Sequence, residues 1–180
     1  MKLLIFLGNP GPSYHLTKHN IWFLIGDELA KTRNCSEWSI DKQSRALITS
    51  TQYQGEKLIL AKPQTFMNLS WLSVASLLGY YKLTPADIVL IHDDIDLPLE
   101  TVRRKFAWSS GGQNGVKDTI QKLGTDGFAR VKIGIGRPAH PGADIADYVL
   151  SKLPHDLLEK LWALSNEVLD KLDKHFFIQK

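Results

Sequence analysis

Short apolar runs alternate with helical stripes along this chain, and loops rich in Gly, Pro, Asn or Asp interrupt them; that alternation constrains the fold more than any other feature. Lys2 to Leu7 reads as a buried strand, broken by GNPGPS. From Asn20 a helical pattern places Trp22, Ile25 and Leu29 on one face. Arg45 to Tyr53 and Lys57 to Ala61 read as paired strands around a Gln54-Gly55 turn, the second ending at Lys62-Pro63. Leu69, Leu72, Ala75 and Leu78 form the next helical stripe, and Thr84-Pro85 opens a short capped turn. Ile88 to Ile91 is a strand ending at His92-Asp93-Asp94. Val102 to Trp108 is another, followed by SSGGQNG. A helix is expected from Val116 to Leu123, with Gly124 as its stop. Arg130 to Ile135 alternates, with Val131, Ile133 and Ile135 facing one way, and a last amphipathic helix spans about Asp156 to Phe176.

Strands alternating with helices imply an α/β fold: a mixed, mostly parallel twisted sheet with helices on both faces. No repeat, low-complexity stretch or linker divides the chain, so 1–180 is expected to form a single domain. Sites in such sheets lie beyond the carboxyl ends of the strands. GNPG, TFMN, HDD, GGQNG and GIGRP each follow an expected strand, which places five unusual loops on one rim.

An apolar fraction of 43% and a charged fraction of 23% suit a globular protein. A formal charge of +3 permits a polyanionic partner without requiring one. Cys35 is the only cysteine, so neither an internal disulfide nor a thiolate zinc cage is available. The first apolar run stops at Leu7 before a Gly-Asn-Pro-Gly turn, which reads as a core strand of a cytoplasmic protein, not a secretory leader. No stretch reaches the roughly 18 apolar residues of a membrane span. The chain lacks G-x-S-x-G, G-x-G-x-x-G and a Walker loop, which leaves little support for a serine hydrolase or a nucleotide-cofactor enzyme.

Taken singly, the unusual residues have plain explanations. Asn9 suits a turn, His19 a helix entry, HDDID a solvated loop or a magnesium site, and GGQNG a flexible turn. Together and in this order, GNPGPSY, KHN, TFMNLS, HDDIDLP and GGQNG resemble the bacterial-type peptidyl-tRNA hydrolases from Met1 to about Pro138. The final helix is similar in pattern.

The resemblance implies hydrolysis of the ester between a peptide, or an N-blocked aminoacyl group, and the 3′-terminal ribose of tRNA. It makes His19 the general base and Asp93 the carboxylate that orients it, with Asn9 in the catalytic group. Asn68 and Asn114, like Asn9, match amides that hold the peptide and the 3′ end. Tyr14 and Phe66 match contacts to the tRNA terminus, and Met67 matches a residue shaping the peptide cleft. Lys105 and Lys132 resemble a clamp for a tRNA phosphate. The implied partner is peptidyl-tRNA, handled by a monomer with no membrane, no obligate protein partner, no cofactor and no metal.

The residue types fit that chemistry. An ester yields to activated water without a covalent nucleophile, and histidine titrates near neutrality. An aspartate behind it fixes the tautomer and offsets the imidazolium charge. Asparagine offers a donor and an acceptor to a peptide backbone. The run Arg103-Arg104-Lys105, with Lys117, Arg130, Lys132 and Arg137, supplies charge near the rim for phosphates. Two residues depart from the family pattern. Gln113 replaces a usual histidine and cannot titrate, and Lys132 replaces a commoner arginine and lacks its bidentate fork. The rival readings are a non-catalytic RNA-binding relative of the same fold and a metal-dependent esterase or nuclease.

Overall fold

The computed structural model describes residues 1–107, 109–140, 142–172 and 176–177. Strand β1 (Lys2–Phe6) is followed in the chain by β2 (Ser39–Asp41), β3 (Ala46–Tyr53), β4 (Glu56–Pro63), β5 (Ile88–Asp94), β6 (Val102–Phe106) and β7 (Ala129–Gly134). They form one sheet in the order β2-β3-β4-β1-β5-β7-β6. The central strands β4, β1, β5 and β7 are parallel, while β2, β3 and β6 join antiparallel at the edges.

Central parallel strands are buried on both faces and therefore read as continuous apolar runs, as LLIF and IVLI do. Leu3, Ile5, Ile59 and Leu90 point to one face with Val74 and Leu77 of helix α2 (Ser70–Tyr81) and Val116 of α3 (Asn114–Leu123). Leu4, Phe6, Leu60 and Val89 point to the other, with Trp22 and Ile25 of α1 (Ile21–Thr32) and Val168 of α6 (Leu161–Leu172). The β3–β4 hairpin turns on Gln54 and Gly55, both at positive φ (49° and 79°), the geometry a two-residue hairpin of this twist requires.

Several details differ from the sequence reading. The buried face of α2 is Ser70, Ser73, Val74, Leu77 and Leu78, whereas Leu69 is 42% exposed and Leu72 and Ala75 are half-buried. The two serines can lie inward because their hydroxyls donate to the carbonyls of Met67 and Arg45. The single C-terminal helix is two, α5 (His155–Glu159) and α6, separated at Lys160, whose ammonium pairs with Glu100 at 2.8 Å. The expected continuation through 173–175 lies outside the described residues, as does Trp108 beyond β6. A further helix, α4 (Ile145–Leu150), was not anticipated; Asp144 caps it by accepting from the N–H groups of Ala146 and Asp147.

Strand β5 also runs further than Ile91, so that Asp93 and Asp94 are part of the strand itself. Strand β7 is buried along its whole length. Arg130 is 0% exposed, donates to the carbonyls of Ser109 and Asp126, and lies 4.9 Å from the Phe128 ring centroid. It is packed within the protein, not displayed for phosphate.

Candidate active site

At the carboxyl end of β1 the chain passes through Gly8 to Asn9. A Cβ on Gly8 would meet Phe23 at 2.9 Å and the Asn20 carboxamide at 3.1 Å, so only glycine allows this approach. Asn20, 1% exposed, holds Asn9 from both sides of its backbone: Oδ1 accepts from Asn9 N–H (2.8 Å) and Nδ2 donates to the Asn9 carbonyl (2.7 Å). The Asn9 Oδ1 in turn accepts from Met67 N–H at 3.0 Å. With its oxygen engaged, the Asn9 carboxamide keeps its NH2 group for the cleft that Asn9 lines. Asn20 was missed as a positioning residue. Its signal was the third letter of KHN, read only as a helix start.

His19 sits in a 3-10 turn, Lys18–Asn20, just before α1. Its Nδ1 is 2.7 Å from Asp93 Oδ2, and both side chains are largely buried. A carboxylate accepts, so Nδ1 carries the proton and Nε2 is the free ring nitrogen. Burial pulls the His19 imidazole down, but the Asp93 charge and hydrogen bond outweigh it, and the pKa is raised. The neighbouring His92 is buried and donates from Nδ1 to the Asp93 carbonyl at 2.8 Å. Burial pushes that imidazole down to about 4, so His92 is neutral at ordinary pH.

Asn9, His19 and Asp93 open into a cleft of roughly 700 Å³ at the carboxyl ends of the central strands. Asn9, His19, Phe66, Met67, Asn68, Asp93 and Asn114 all line it. Tyr14 stands outside the lining, but its ring meets the exposed Phe66 ring edge-on, with centroids 6.5 Å apart. The structure thus brings together four of the five expected loops. Residues 3–179, which include every loop of this rim, match the peptidyl-tRNA hydrolase family.

The chain belongs to that family.

A peptidyl-tRNA hydrolase of Brevibacillus brevis is 46% identical over 157 residues, covering 86% of this chain and 80% of its own. One of Lactococcus lactis subsp. lactis is 49% identical over 150 residues, 83% of this chain and 79% of its own. Among solved structures, the peptidyl-tRNA hydrolase of Acinetobacter baumannii superposes with a TM-score of 0.81 at 27% identity, covering 100% of this chain and 96% of that one.

Within this peptidyl-tRNA hydrolase fold the fifth loop, GIGRP, holds α4 in place of lining the cleft: the Tyr148 hydroxyl donates to the Ile135 carbonyl at 2.7 Å. Lys18, beside His19, donates to Ser151 Oγ at 2.5 Å and lies 4.6 Å from the Tyr148 ring centroid. Helix α4 is therefore fastened to the turn that carries His19. Its Ile145, Ala146, Val149 and Leu150 line the cleft with apolar surface, a wall that sequence reasoning missed. The available signal was Asp144 followed by apolar residues at Ile145 and Val149, one helical turn apart.

The two lysines expected to act as a pair have different settings. Lys105 is exposed on β6, while Lys132 is 8% exposed and its ammonium meets Asp94 Oδ2 at 2.8 Å. Gly111 lies directly against the Lys132 ammonium, so that lysine sits beneath the GGQNG turn.

Proposed function

We propose that this protein hydrolyses the ester linking a peptidyl or N-blocked aminoacyl group to the 3′-terminal ribose of tRNA, with His19 as general base. The observation that carries the reading is the 2.7 Å contact between His19 Nδ1 and Asp93 Oδ2 at the cleft. Asp93 holds the Nδ1 proton, and Nε2 removes a proton from water. The resulting hydroxide adds to the ester carbonyl, forming a tetrahedral oxyanion. Collapse breaks the bond to the ribose 3′ oxygen, which takes the proton back from His19 Nε2. The products are a peptide carboxylate and free tRNA. Asp93 stabilises the imidazolium between the two proton transfers.

In the same reading the Asn9 NH2 donates to the amide carbonyl next to the scissile ester, and Asn68 and Asn114 hold the peptide and the tRNA end. Phe66 and Tyr14 offer ring faces to the terminal base, and Met67 shapes the peptide side. Lys105, exposed on β6, carries the phosphate contact, and Lys132, held by Asp94, reaches a phosphate only by leaving it. No described helix is long and apolar enough to cross a membrane. A cytoplasmic monomer acting on one tRNA at a time completes the reading.

The test is release of free tRNA from N-acetyl-aminoacyl-tRNA. The native chain releases it with or without a chelator, and His19→Ala folds and binds tRNA but loses roughly 10²–10⁴-fold in rate, the range for a lost general base. No release by the native chain would favour the RNA-binding reading, and release abolished by chelator would favour the metal-dependent one.

A further inference from the structure

Gln113 occupies a junction that none of the proposed chemical steps uses. Its Oε1 accepts from Val116 N–H at 2.8 Å, capping the first turn of α3 where Asn114 begins the helix. Its Nε2 approaches Met67 Sδ at 3.1 Å, in position to donate to it. Met67 is itself the residue whose N–H is held by Asn9. Gln113 is 9% exposed and forms part of the cleft lining. Packing at the junction leaves no slack. A Cβ on Gly115 would meet Met67 Sδ at 2.7 Å, the Met67 carbonyl at 3.1 Å and Gln113 Oε1 at 3.2 Å. The start of α3 is therefore seated against the turn that begins at Met67.

The two bridged residues each precede an amide of the cleft: Asn68 follows Met67, and Asn114 follows Gln113. A carboxamide can accept at one atom and donate at the other, which neither an apolar side chain nor a carboxylate can do. Thioether sulfur is a weak acceptor, so the second bond serves mainly to orient.

We propose that Gln113 is a positioning residue that sets the separation of Asn68 and Asn114, and so fixes where the substrate lies relative to His19. The proposal rests on reading the cleft as the hydrolytic site. Its effect falls on substrate binding more than on the chemical step, because Gln113 has no hydrogen bond to His19 or Asp93.

Steady-state kinetics with N-acetyl-aminoacyl-tRNA test it, using Gln113→Ala, Gln113→Glu, Met67→Leu and the Gln113→Ala/Met67→Leu double variant. Gln113→Ala raises KM about tenfold and changes kcat by less than about threefold, the pattern of lost uniform binding. Met67→Leu raises KM less, and the double variant is no worse than Gln113→Ala, since partners in one contact are non-additive. Gln113→Glu keeps the acceptor for Val116 but cannot donate as a carboxylate, and its KM lies between wild type and alanine. An unchanged KM in Gln113→Ala, or additive effects in the double variant, overturns the proposal. If the alanine variant fails to fold, a wild-type KM for Gln113→Glu overturns it equally. His19→Ala, run alongside, separates the two levels: if it loses turnover while the Gln113 variants behave as wild type, only the positioning role fails.

Discussion

His92 is buried and His19 largely so, and the Nδ1 of each is hydrogen-bonded to Asp93, yet their pKa values move in opposite directions. The difference lies in the acceptor and in the depth of burial, since His92 is enclosed and His19 borders the cleft. His19 meets the carboxylate at 2.7 Å, and His92 meets the main-chain carbonyl at 2.8 Å. Burial opposes the charged form in both. The carboxylate directly on the His19 ring reverses it, whereas the Asp93 and Asp94 charges acting on His92 do not overcome burial and Lys132 works against them. A general base has to become charged in the transition state, so only one of these imidazoles is equipped for the task. His92 Nε2 is moreover buried without a hydrogen-bond partner among the described residues, where no substrate can reach it.

The strongest way to break the comparison is to make His19 resemble His92. Asp93→Asn leaves a hydrogen-bonding group but removes the charge, so burial prevails and the His19 pKa falls. In the proposed mechanism the working form is the free base, and the acidic limb of kcat/KM therefore moves to lower pH. The plateau drops by roughly 10²–10⁴-fold, because the imidazolium loses its counter-charge and the ring its fixed tautomer. A profile from about pH 5 to 9 shows both effects, a window spanning the ordinary histidine range.

Stability sharpens the same contrast. The His92 pKa is depressed in the fold, so the unfolded chain takes up the proton first. Stability is then lost as pH falls from about 6.5 to about 4, by about 3 kcal/mol, and stays lost below that. His19, with a raised pKa, has the opposite sign: its contribution is fully present below about 6.5 and disappears as pH rises through the folded value. Urea unfolding of His92→Gln at pH 7 and pH 4 checks this, with a smaller acid loss expected than in the native chain.

Two smaller effects concern substrate contacts. Asn9→Ala narrows the preference for N-blocked over free aminoacyl-tRNA by about tenfold, the scale of one hydrogen bond, measured as the ratio of the two kcat/KM values. Lys105→Ala flattens the log–log salt dependence of tRNA binding by about one unit, whereas an unmoved slope would make the lysine a merely solvated charge.

Regions governed by local rules were legible in the sequence. The first strand, the Gln54-Gly55 hairpin and the Gly124 stop (φ 68°) all follow from backbone preferences of the residues themselves. What failed was the assignment of buried faces where polar atoms find partners across the fold. Ser70 and Ser73 look exposed until the carbonyls of Met67 and Arg45 are beside them. Arg130 and Lys132 look like the wet side of a strand until Ser109, Asp126 and Asp94 close over them. At the site, single letters within motifs named His19 and Asp93, and the structure placed them in contact. The roles of Asn20 and Gln113 depend on which backbone groups lie within reach, and no spacing along the chain reveals that. Helix α4 is six residues long, too short for a periodic stripe to stand out.

The central claim is that the Asp93 charge makes His19 a base, and the most direct measurement is an NMR titration of the imidazole resonances in the native chain and in Asp93→Asn. The account predicts a His19 midpoint above the ordinary value of about 6.5 in the native chain and below it in the variant, with His92 neutral down to about 4 in the native chain. A native His19 midpoint at or below about 6.5, or one that Asp93→Asn leaves in place, would contradict it.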